Sequence, residues 1–393
     1  MWTDGVERHV QRMAKLRVVF GVQLVAVVVF ALLWNPLDFF IYRLGGQVVG
    51  DGTRLYLEQQ AEHWFTYTPF AAVTFLPLSF VPLVPARVLW AIASVGAFVF
   101  ACREVLSPAG YRRLIPGAVV VGLTLEPVWH SLFLGQINLI LLALVAFDVR
   151  RVATGRFAGV GIGIAAAIKL TPGIFIVLLL AAGRVRAAAV AGVTFLAGTA
   201  LGFLVAPDAS LVYWRDVFYD TTRVGVPYVS NQSPYGALVR LLGREHVGSW
   251  YLVIPLVLST IGIVVATRYA RRSDWLGAFA VAGLTGLLVS PISWSHHWVW
   301  ALPALVVLMR DGYRRAAVAA GVVFVLSPMW ATRLVERPDE LWARVPFELV
   351  QNAYLLLGLA LLAHLALRPA ATEATGRSVV VTTRRRTLPE GRR

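Results

Sequence analysis

The sequence predicts an all-α membrane protein that crosses the bilayer many times. Hydrophobic residues make up 58% of its 393 residues, charged residues only 15%, and the mean hydropathy is +0.70. Long apolar runs alternate with short charged loops. This is the pattern of helices that satisfy their backbone hydrogen bonds within lipid.

Apolar runs predict about 12 transmembrane helices in a single domain over residues 1–368, followed by a basic, disordered cytoplasmic tail over residues 369–393. The first run ends at Trp34 and is interpreted as an uncleaved helix, with a signal peptide as the alternative. The segment Pro69–Val84 is short and rich in proline, so it is interpreted as re-entrant or interfacial. The runs are 17–34, 86–102, 115–130, 136–148, 157–168, 172–182, 187–206, 251–267, 275–290, 297–309, 316–330 and 349–367.

The distribution of basic residues predicts the orientation. With the N-terminus in the cytoplasm, the outer segments hold 11 of the 36 basic residues, and the inner loops and the tail hold the other 25. This bias places both termini on the cytoplasmic side, by the rule that inner loops are positive. The longest polar loops then lie on the outer face of the membrane, where we expect the chemistry.

Several classes of function are disfavoured by the sequence. The net charge of +15 is explained by topology, so no nucleic-acid partner is expected. The single cysteine, Cys102, excludes an intramolecular disulfide and a cysteine-based metal site. No nucleotide-phosphate loop or acidic metal cluster is present, so the prediction is no metal and no cofactor.

The most informative segment is SPISWSHHW, in which His296 and His297 follow Trp294 at the end of an apolar run. Titratable side chains at such a position are functional candidates. The alternative is that these residues only mark the lipid–water boundary.

The first outer loop offers a candidate general base. Asp51 lies between two glycines, and Tyr67 follows in an aromatic-rich segment. A loop aspartate is more often simply solvated, but this setting also suits a base at a membrane surface. Glu58 is the rival carboxylate, and it is expected to pair with Arg54 on a short helix.

Three further segments carry polar side chains toward the same face. Gln136 and Asn138 begin a helix, where free backbone N–H groups favour an anion. The alternative is that the two amides only cap the helix. Glu126 is expected at the same end of the helices. Lys169 precedes a helix break at Pro172, which suits a phosphate ligand, although snorkelling is the alternative.

The largest outer loop mixes aromatic, amide and acidic side chains, from Tyr213 to the segment NQSPYG that begins at Asn231. Aromatic rings cover the apolar face of a sugar while amides bind its hydroxyls. Asn231 and Gln232 are therefore expected to contact a sugar substrate, together with Tyr67, Trp294 and Glu126.

Taken together, the segments FTYTPF, GQINL, AAIKLTP, NQS and SPISWSHHW resemble glycosyltransferase family 87 over roughly residues 45–310. The resemblance implies the GT-C membrane fold and a polyprenyl-phosphate-mannose-dependent α-1,2-mannosyltransferase of actinobacterial type. Thr68 departs from the family, in which proline is the more familiar residue, and the chain beyond about 310 matches poorly.

The resemblance also implies residue roles. Asp51 would be the general base that deprotonates a mannose 2-hydroxyl in an inverting reaction. His296 or His297 would orient that base or contact the donor phosphate. The polyprenyl phosphate would be held by Lys169, Gln136 and Asn138.

The implied partners are a polyprenyl-phosphate sugar donor, a glycolipid or lipoglycan acceptor and the lipid bilayer. Two alternatives stay open at this point. One is an arabinofuranosyltransferase that uses decaprenyl-phosphate-arabinose, and the other is a lipid or solute transporter. Transporters often show internal repeats, and none is apparent between the two halves of this sequence.

Overall fold

The computed structural model describes residues 2–107 and 110–368, and these residues form α-helices joined by loops and short helical turns. The tail predicted over residues 369–393 lies outside the described residues. The helices of the described part are α1 Trp2–Leu33, α2 Leu37–Gln47, α3 Arg54–Leu57, α4 Pro69–Phe80, α5 Leu83–Leu106, α6 Ile115–Gly122, α7 Glu126–Leu134, α8 Asn138–Ala153, α9 Val160–Ile168, α10 Ile174–Ala181, α11 Val185–Val205, α12 Pro207–Val212, α13 Pro234–Leu242, α14 Val253–Arg271, α15 Trp275–Val289, α16 Leu302–Arg310, α17 Arg314–Leu326, α18 Leu341–Gln351 and α19 Ala353–Leu367.

The predicted helical, multi-pass character is confirmed. Five helical segments of the described chain are long and apolar enough to cross a membrane. The number rises to 7 if each of two bent helix pairs, α6 with α7 and α18 with α19, forms one span. The finer predictions of twelve crossings and cytoplasmic termini stay predictions.

Several helices are too short to cross a bilayer alone. The helix α4 has 12 residues, among them Pro77, and at 1.5 Å per residue it is only about 18 Å long. It begins with Thr68, whose hydroxyl accepts a hydrogen bond from the Ala71 N–H at 3.1 Å, and Pro69 occupies the first helical position. This start fixes α4 against the end of α9, because the Thr68 hydroxyl also donates to the carbonyl of Ala167.

The helices α2 and α4 pack closely. The ring of Tyr42 stacks on Phe75 with the centroids 4.3 Å apart. A Cβ atom at Gly46 would lie 2.8 Å from the backbone of Phe75, so only glycine permits this approach. The pair brings the segment after α1 against the bundle.

The centre of the bundle is α15. Its residues are apolar on all sides, and nearly all of them are buried, as expected for a helix that is surrounded by other helices. It packs against α14, α16 and α19. At its end the backbone becomes extended at Ser290, where the histidine segment, residues 290–298, begins.

Candidate active site

Elements that are far apart in the sequence line a cavity of about 690 Å³, and four of them contribute its main polar groups. They are the start of α2, the connection between α7 and α8, the break between α9 and α10, and the segment after α15. The polar end of the cavity is lined by Asp38, Gln136, Lys169 and His297. Three of these four residues are predicted from the sequence, and Asp38 is not.

Local turns explain why Asp38 and Gln136 meet. Asp38 lies in the first turn of α2, where a carboxylate is favoured by the helix dipole. The helix α7 ends at Gly135 in the left-handed conformation (φ 67°). A Cβ atom at Gly135 would lie 2.6 Å from that of Phe39, so this glycine lets the turn that carries Gln136 approach α2.

The orientation of the Gln136 amide follows from its hydrogen bonds. Its Oε1 accepts hydrogen bonds from the hydroxyls of Tyr42 at 2.9 Å and Tyr67 at 2.8 Å. The amide NH₂ therefore remains to donate to Asp38, which lies within its reach. This arrangement presents the Asp38 carboxylate to the cavity.

The protein environment tunes Asp38, which lies outside the candidate spans. Removal of water raises the pKa of its carboxyl from 3.8 to about 6, and Gln136 and the charge of Lys169 oppose that rise. A carboxylate with a pKa near 6 is deprotonated at neutral pH and is still basic enough to accept a proton in catalysis.

Lys169 occupies the break that the sequence predicts. Its backbone is extended (φ −143°, ψ 129°) after the last residue of α9. The ammonium donates hydrogen bonds to Nε2 of His297 at 2.9 Å and to Oδ1 of Asn138 at 3.3 Å, and it lies 5.3 Å from the centroid of the Tyr67 ring. An ammonium has three N–H groups, so one remains for a ligand in the cavity.

Burial also affects Lys169, which lies between the helices of this break and outside the candidate spans. Loss of water lowers the pKa of its ammonium from 10.5 to about 7, and the charge of Asp38 opposes that fall. An incoming phosphate would stabilise the charged ammonium, because opposite charges attract strongly where water is scarce.

The structure distinguishes the two histidines. His297 lines the cavity and contacts Lys169. The buried ring of His296 instead lies between His130 and His297, with centroids 5.2 Å and 4.8 Å away. The carbonyl of His296 accepts a hydrogen bond from Nδ2 of Asn138 at 3.1 Å. His296 and Asn138 thus support the residues that face the cavity.

Asp51 is not among the residues that line this cavity. Its side chain is 57% exposed and pairs with Arg54 at 2.8 Å. Arg54 also pairs with Glu58 at 3.0 Å, as the sequence suggests for that pair. The structure therefore places the predicted base in a solvated turn, and a different carboxylate, Asp38, lines the cavity together with Lys169.

Asn231 and Gln232 are fully buried and serve the backbone. The Asn231 amide donates to the carbonyl of Pro291 at 3.2 Å and accepts from the Ser293 N–H at 2.9 Å. The Gln232 amide donates to the carbonyl of Gln351 at 2.8 Å and accepts from the Tyr354 N–H at 3.0 Å. These contacts hold the loop against the histidine segment and do not place either amide in the cavity.

The remaining predicted substrate contacts divide into two groups. Tyr67 and Trp294 line the cavity. Glu126 is fully buried and is absent from the lining of that cavity. Its oxygens interact with side chains behind the histidine segment, which are described below.

The sequence around Asp38 indicates a buried carboxylate, although Asp38 belongs to none of the motifs. Asp38 follows the first long helix by only five residues, between Leu37 and Phe39, in a setting of apolar and aromatic side chains. A carboxylate in such surroundings is costly unless it has a partner or a role. That cost is a better indicator of a functional acid than the glycine-flanked position of Asp51.

Comparison with known proteins decides the family. The model of glycosyltransferase family 87 matches residues 65–291, which include Tyr67, Gln136 and Lys169. The chain belongs to glycosyltransferase family 87. The family predicted from the five motifs is therefore confirmed.

The chain is similar to curated mannosyltransferases of mycobacteria. The polyprenol-phosphate-mannose-dependent alpha-(1-2)-phosphatidylinositol pentamannoside mannosyltransferase of Mycobacterium tuberculosis is 37% identical over 272 residues, which cover 66% of this chain and 61% of that protein. The corresponding phosphatidylinositol mannoside mannosyltransferases of M. tuberculosis and Mycolicibacterium smegmatis are 32% and 33% identical, over 74% and 72% of this chain and 75% and 71% of their own lengths. The chain thus spans about three-fifths of the length of the first relative. No solved structure matches it.

Proposed function

We propose that this family 87 protein transfers mannose from polyprenyl-phosphate-mannose to a hydroxyl of a phosphatidylinositol mannoside or related glycolipid, with an α-1,2 linkage. One observation carries the proposal. The Asp38 carboxylate shares a cavity with the basic pair of Lys169 and His297. A sugar transfer from a lipid phosphate needs both a base and a cationic site for the departing phosphate.

The geometry supports a direct displacement. Asp38 accepts the proton of the acceptor 2-hydroxyl as its oxygen attacks the anomeric carbon of the donor mannose. The bond from that carbon to the phosphate oxygen breaks, and its electron pair stays with the polyprenyl phosphate. Lys169 binds this phosphate and stabilises the charge that develops on it. Attack opposite the departing phosphate inverts the anomeric configuration.

The apolar end of the cavity suits the polyprenyl chain. It is lined by Ile174 and Val177 of α10, Ile263 of α14 and Val289 of α15. Because α14 is among the candidate spans, a lipid chain at this end would continue into the bilayer. We place the donor with its chain along these helices and its phosphate at Lys169.

Another part of the cavity lining suits an acceptor glycan. It presents the exposed ring of Tyr219 beside Asp220, Thr221 and Arg223. Asp220 is held by its neighbours, because its carboxylate accepts from the Thr222 N–H at 2.8 Å. A ring beside fixed polar groups is a suitable surface for a sugar.

The proposed setting is the outer face of a bacterial plasma membrane, with both termini in the cytoplasm. The positive-inside pattern of the arginines supports it. A lipid-linked donor fits that side, since nucleotide sugars are made in the cytoplasm. Phosphate is already a good leaving group, so we propose that the reaction needs no metal or other cofactor.

A reconstituted assay tests the function. The purified full chain in proteoliposomes is given labelled polyprenyl-phosphate-mannose and phosphatidylinositol mannosides, and mass spectrometry of the lipids detects the product. We expect one added hexose per acceptor and a 1,2 linkage on methylation analysis. Transfer from decaprenyl-phosphate-arabinose instead would show a pentosyltransferase. Movement of unmodified labelled lipid across the membrane, with no covalent product, would show a transporter and overturn the proposal.

A further inference from the structure

Behind the histidine segment lies a second polar cluster that the proposed chemistry does not use. Its centre is Glu126, the first residue of α7, which is fully buried. Its Oε1 accepts hydrogen bonds from the Ser295 hydroxyl at 2.7 Å and the Trp330 indole at 3.3 Å, and it lies 2.7 Å from Nδ1 of His130. Its Oε2 accepts from the Tyr354 hydroxyl at 3.0 Å.

These four partners come from different parts of the chain. His130 belongs to α7 itself, Ser295 lies in the histidine segment, Trp330 lies in the helical turn before α18, and Tyr354 belongs to α19. A carboxylate that receives several donors is strongly held in one orientation. Glu126 therefore joins the C-terminal helices to the segment that carries His297.

The same segment is fixed at two further points. The carbonyl of His296 accepts hydrogen bonds from the Ser131 hydroxyl and from the Asn138 amide, both at 3.1 Å. The Ser295 N–H donates to the Ser230 hydroxyl at 3.2 Å. The Ser295 hydroxyl itself lies 2.7 Å from Glu126, 3.0 Å from the Ser230 hydroxyl and 3.1 Å from Nδ1 of His130, so Glu126 is its shortest contact.

The ring of His130 also transmits this constraint. It packs edge-on against His296, and His296 packs edge-on against His297. Neither ring nitrogen of His296 has a hydrogen-bond partner within the described residues, so packing alone orients that ring. Displacement of the His130 ring would therefore displace the His296 ring, which would in turn displace His297 and alter its contact with Lys169.

We infer that Glu126 is a positioning residue for the phosphate-binding pair of Lys169 and His297. It does not touch the cavity, and it acts by holding Ser295 and His130 in place. This inference rests on the proposed function only in taking that pair as the site of the donor phosphate. Displacement of a catalytic group by about 1 Å can lower the rate on the order of 100-fold. Loss of the contacts that Glu126 makes is therefore expected to lower the rate.

Two substitutions separate positioning from charge. Glu126→Ala removes the acceptor of every donor in the cluster, and we expect kcat to fall about 100-fold with little change in the KM for the acceptor. Glu126→Gln retains Oε1 for three of the donors and places an NH₂ group opposite the Tyr354 hydroxyl, which can accept. We expect this variant to stay within about fivefold of the wild type, the effect of roughly one altered hydrogen bond.

A matched control and a direct binding measurement complete the test. Glu104→Ala removes another largely buried carboxylate, one that pairs with Arg150 at 3.4 Å, and it should behave as the wild type. Binding of polyprenyl phosphate without sugar, measured in nanodiscs, should weaken about tenfold in Glu126→Ala. This binding measurement tests the positioning role of Glu126 even if the wild type transfers a sugar other than mannose. A wild-type protein that transfers no sugar would contradict the proposed function but not the positioning role.

Variants of the partners of Glu126 keep the inference testable if Glu126→Ala does not fold. Ser295→Ala removes the hydroxyl that bonds Glu126 and also contacts Ser230 and His130, and it should lower kcat about tenfold. Tyr354→Phe removes the bond from α19 and should leave kcat within about threefold, since other anchors hold the segment. Equal losses of kcat in Glu126→Gln and Glu126→Ala would overturn the positioning role. It would also be overturned if Glu126→Ala or Ser295→Ala bound polyprenyl phosphate and turned over as the wild type does.

Discussion

The choice between Asp38 and Asp51 as general base gives the sharpest prediction. Asp38→Asn keeps the size of the side chain and leaves an oxygen to accept from Gln136, so the cavity should keep its shape. The substitution removes the base, which is worth about 100- to 10,000-fold in rate, or about 3–5 kcal/mol of activation free energy. We expect kcat to fall by that factor while binding of the donor changes little.

Asp51→Asn is the matched variant. It removes only an exposed ion pair with Arg54, and such pairs contribute about 0–1 kcal/mol. We expect its kcat to stay within about fivefold of the wild type. The assay is transfer of labelled mannose in proteoliposomes that hold equal amounts of folded protein. Full activity of Asp38→Asn together with loss in Asp51→Asn would refute the assignment of the base from cavity geometry.

Four further predictions concern the same site. Lys169→Met should weaken binding of polyprenyl phosphate and lower kcat/KM by at least about tenfold, and Lys169→Arg should retain more of both because it keeps the charge; equal losses would argue against a role for that charge. The pKa of Asp38 is raised to about 6, so kcat/KM should increase with pH through about 6 as the carboxyl loses its proton. A profile that is flat from pH 5 to 7 would argue against that shift. Transfer should persist in EDTA after dialysis; loss that Mg²⁺ or Mn²⁺ restores would show a metal requirement. Asn231→Ala leaves the Ser293 N–H without its acceptor and should lower the free energy of unfolding by about 1–3 kcal/mol, with the KM of surviving enzyme unchanged; a raised acceptor KM at unchanged thermal stability would restore the predicted sugar contact.

The structure brings together part of the set of site residues that the sequence predicts. Lys169 follows from a cation at a helix break, and His297 and Gln136 follow from polar groups at helix ends that the sequence predicts on one side of the membrane. All three line one cavity. The sequence does not reveal the roles of Asn231 and Gln232, because the same amide residue in a loop can bind either a sugar or the backbone of another segment. Only the partners of each amide distinguish the two.

The sequence by itself determined the helical membrane character and the family. Both depend on local composition and on short motifs, because a helix in lipid must satisfy its own backbone hydrogen bonds and be apolar on its lipid-facing side. The tertiary structure decided which carboxylate meets the basic pair and which histidine faces the cavity. Asp38 and Lys169 are 131 positions apart, and their proximity depends on the glycine turn at Gly135 and on the packing of α2 against α4. The burial that changes the pKa of each group arises from that packing, so no local pattern reveals it.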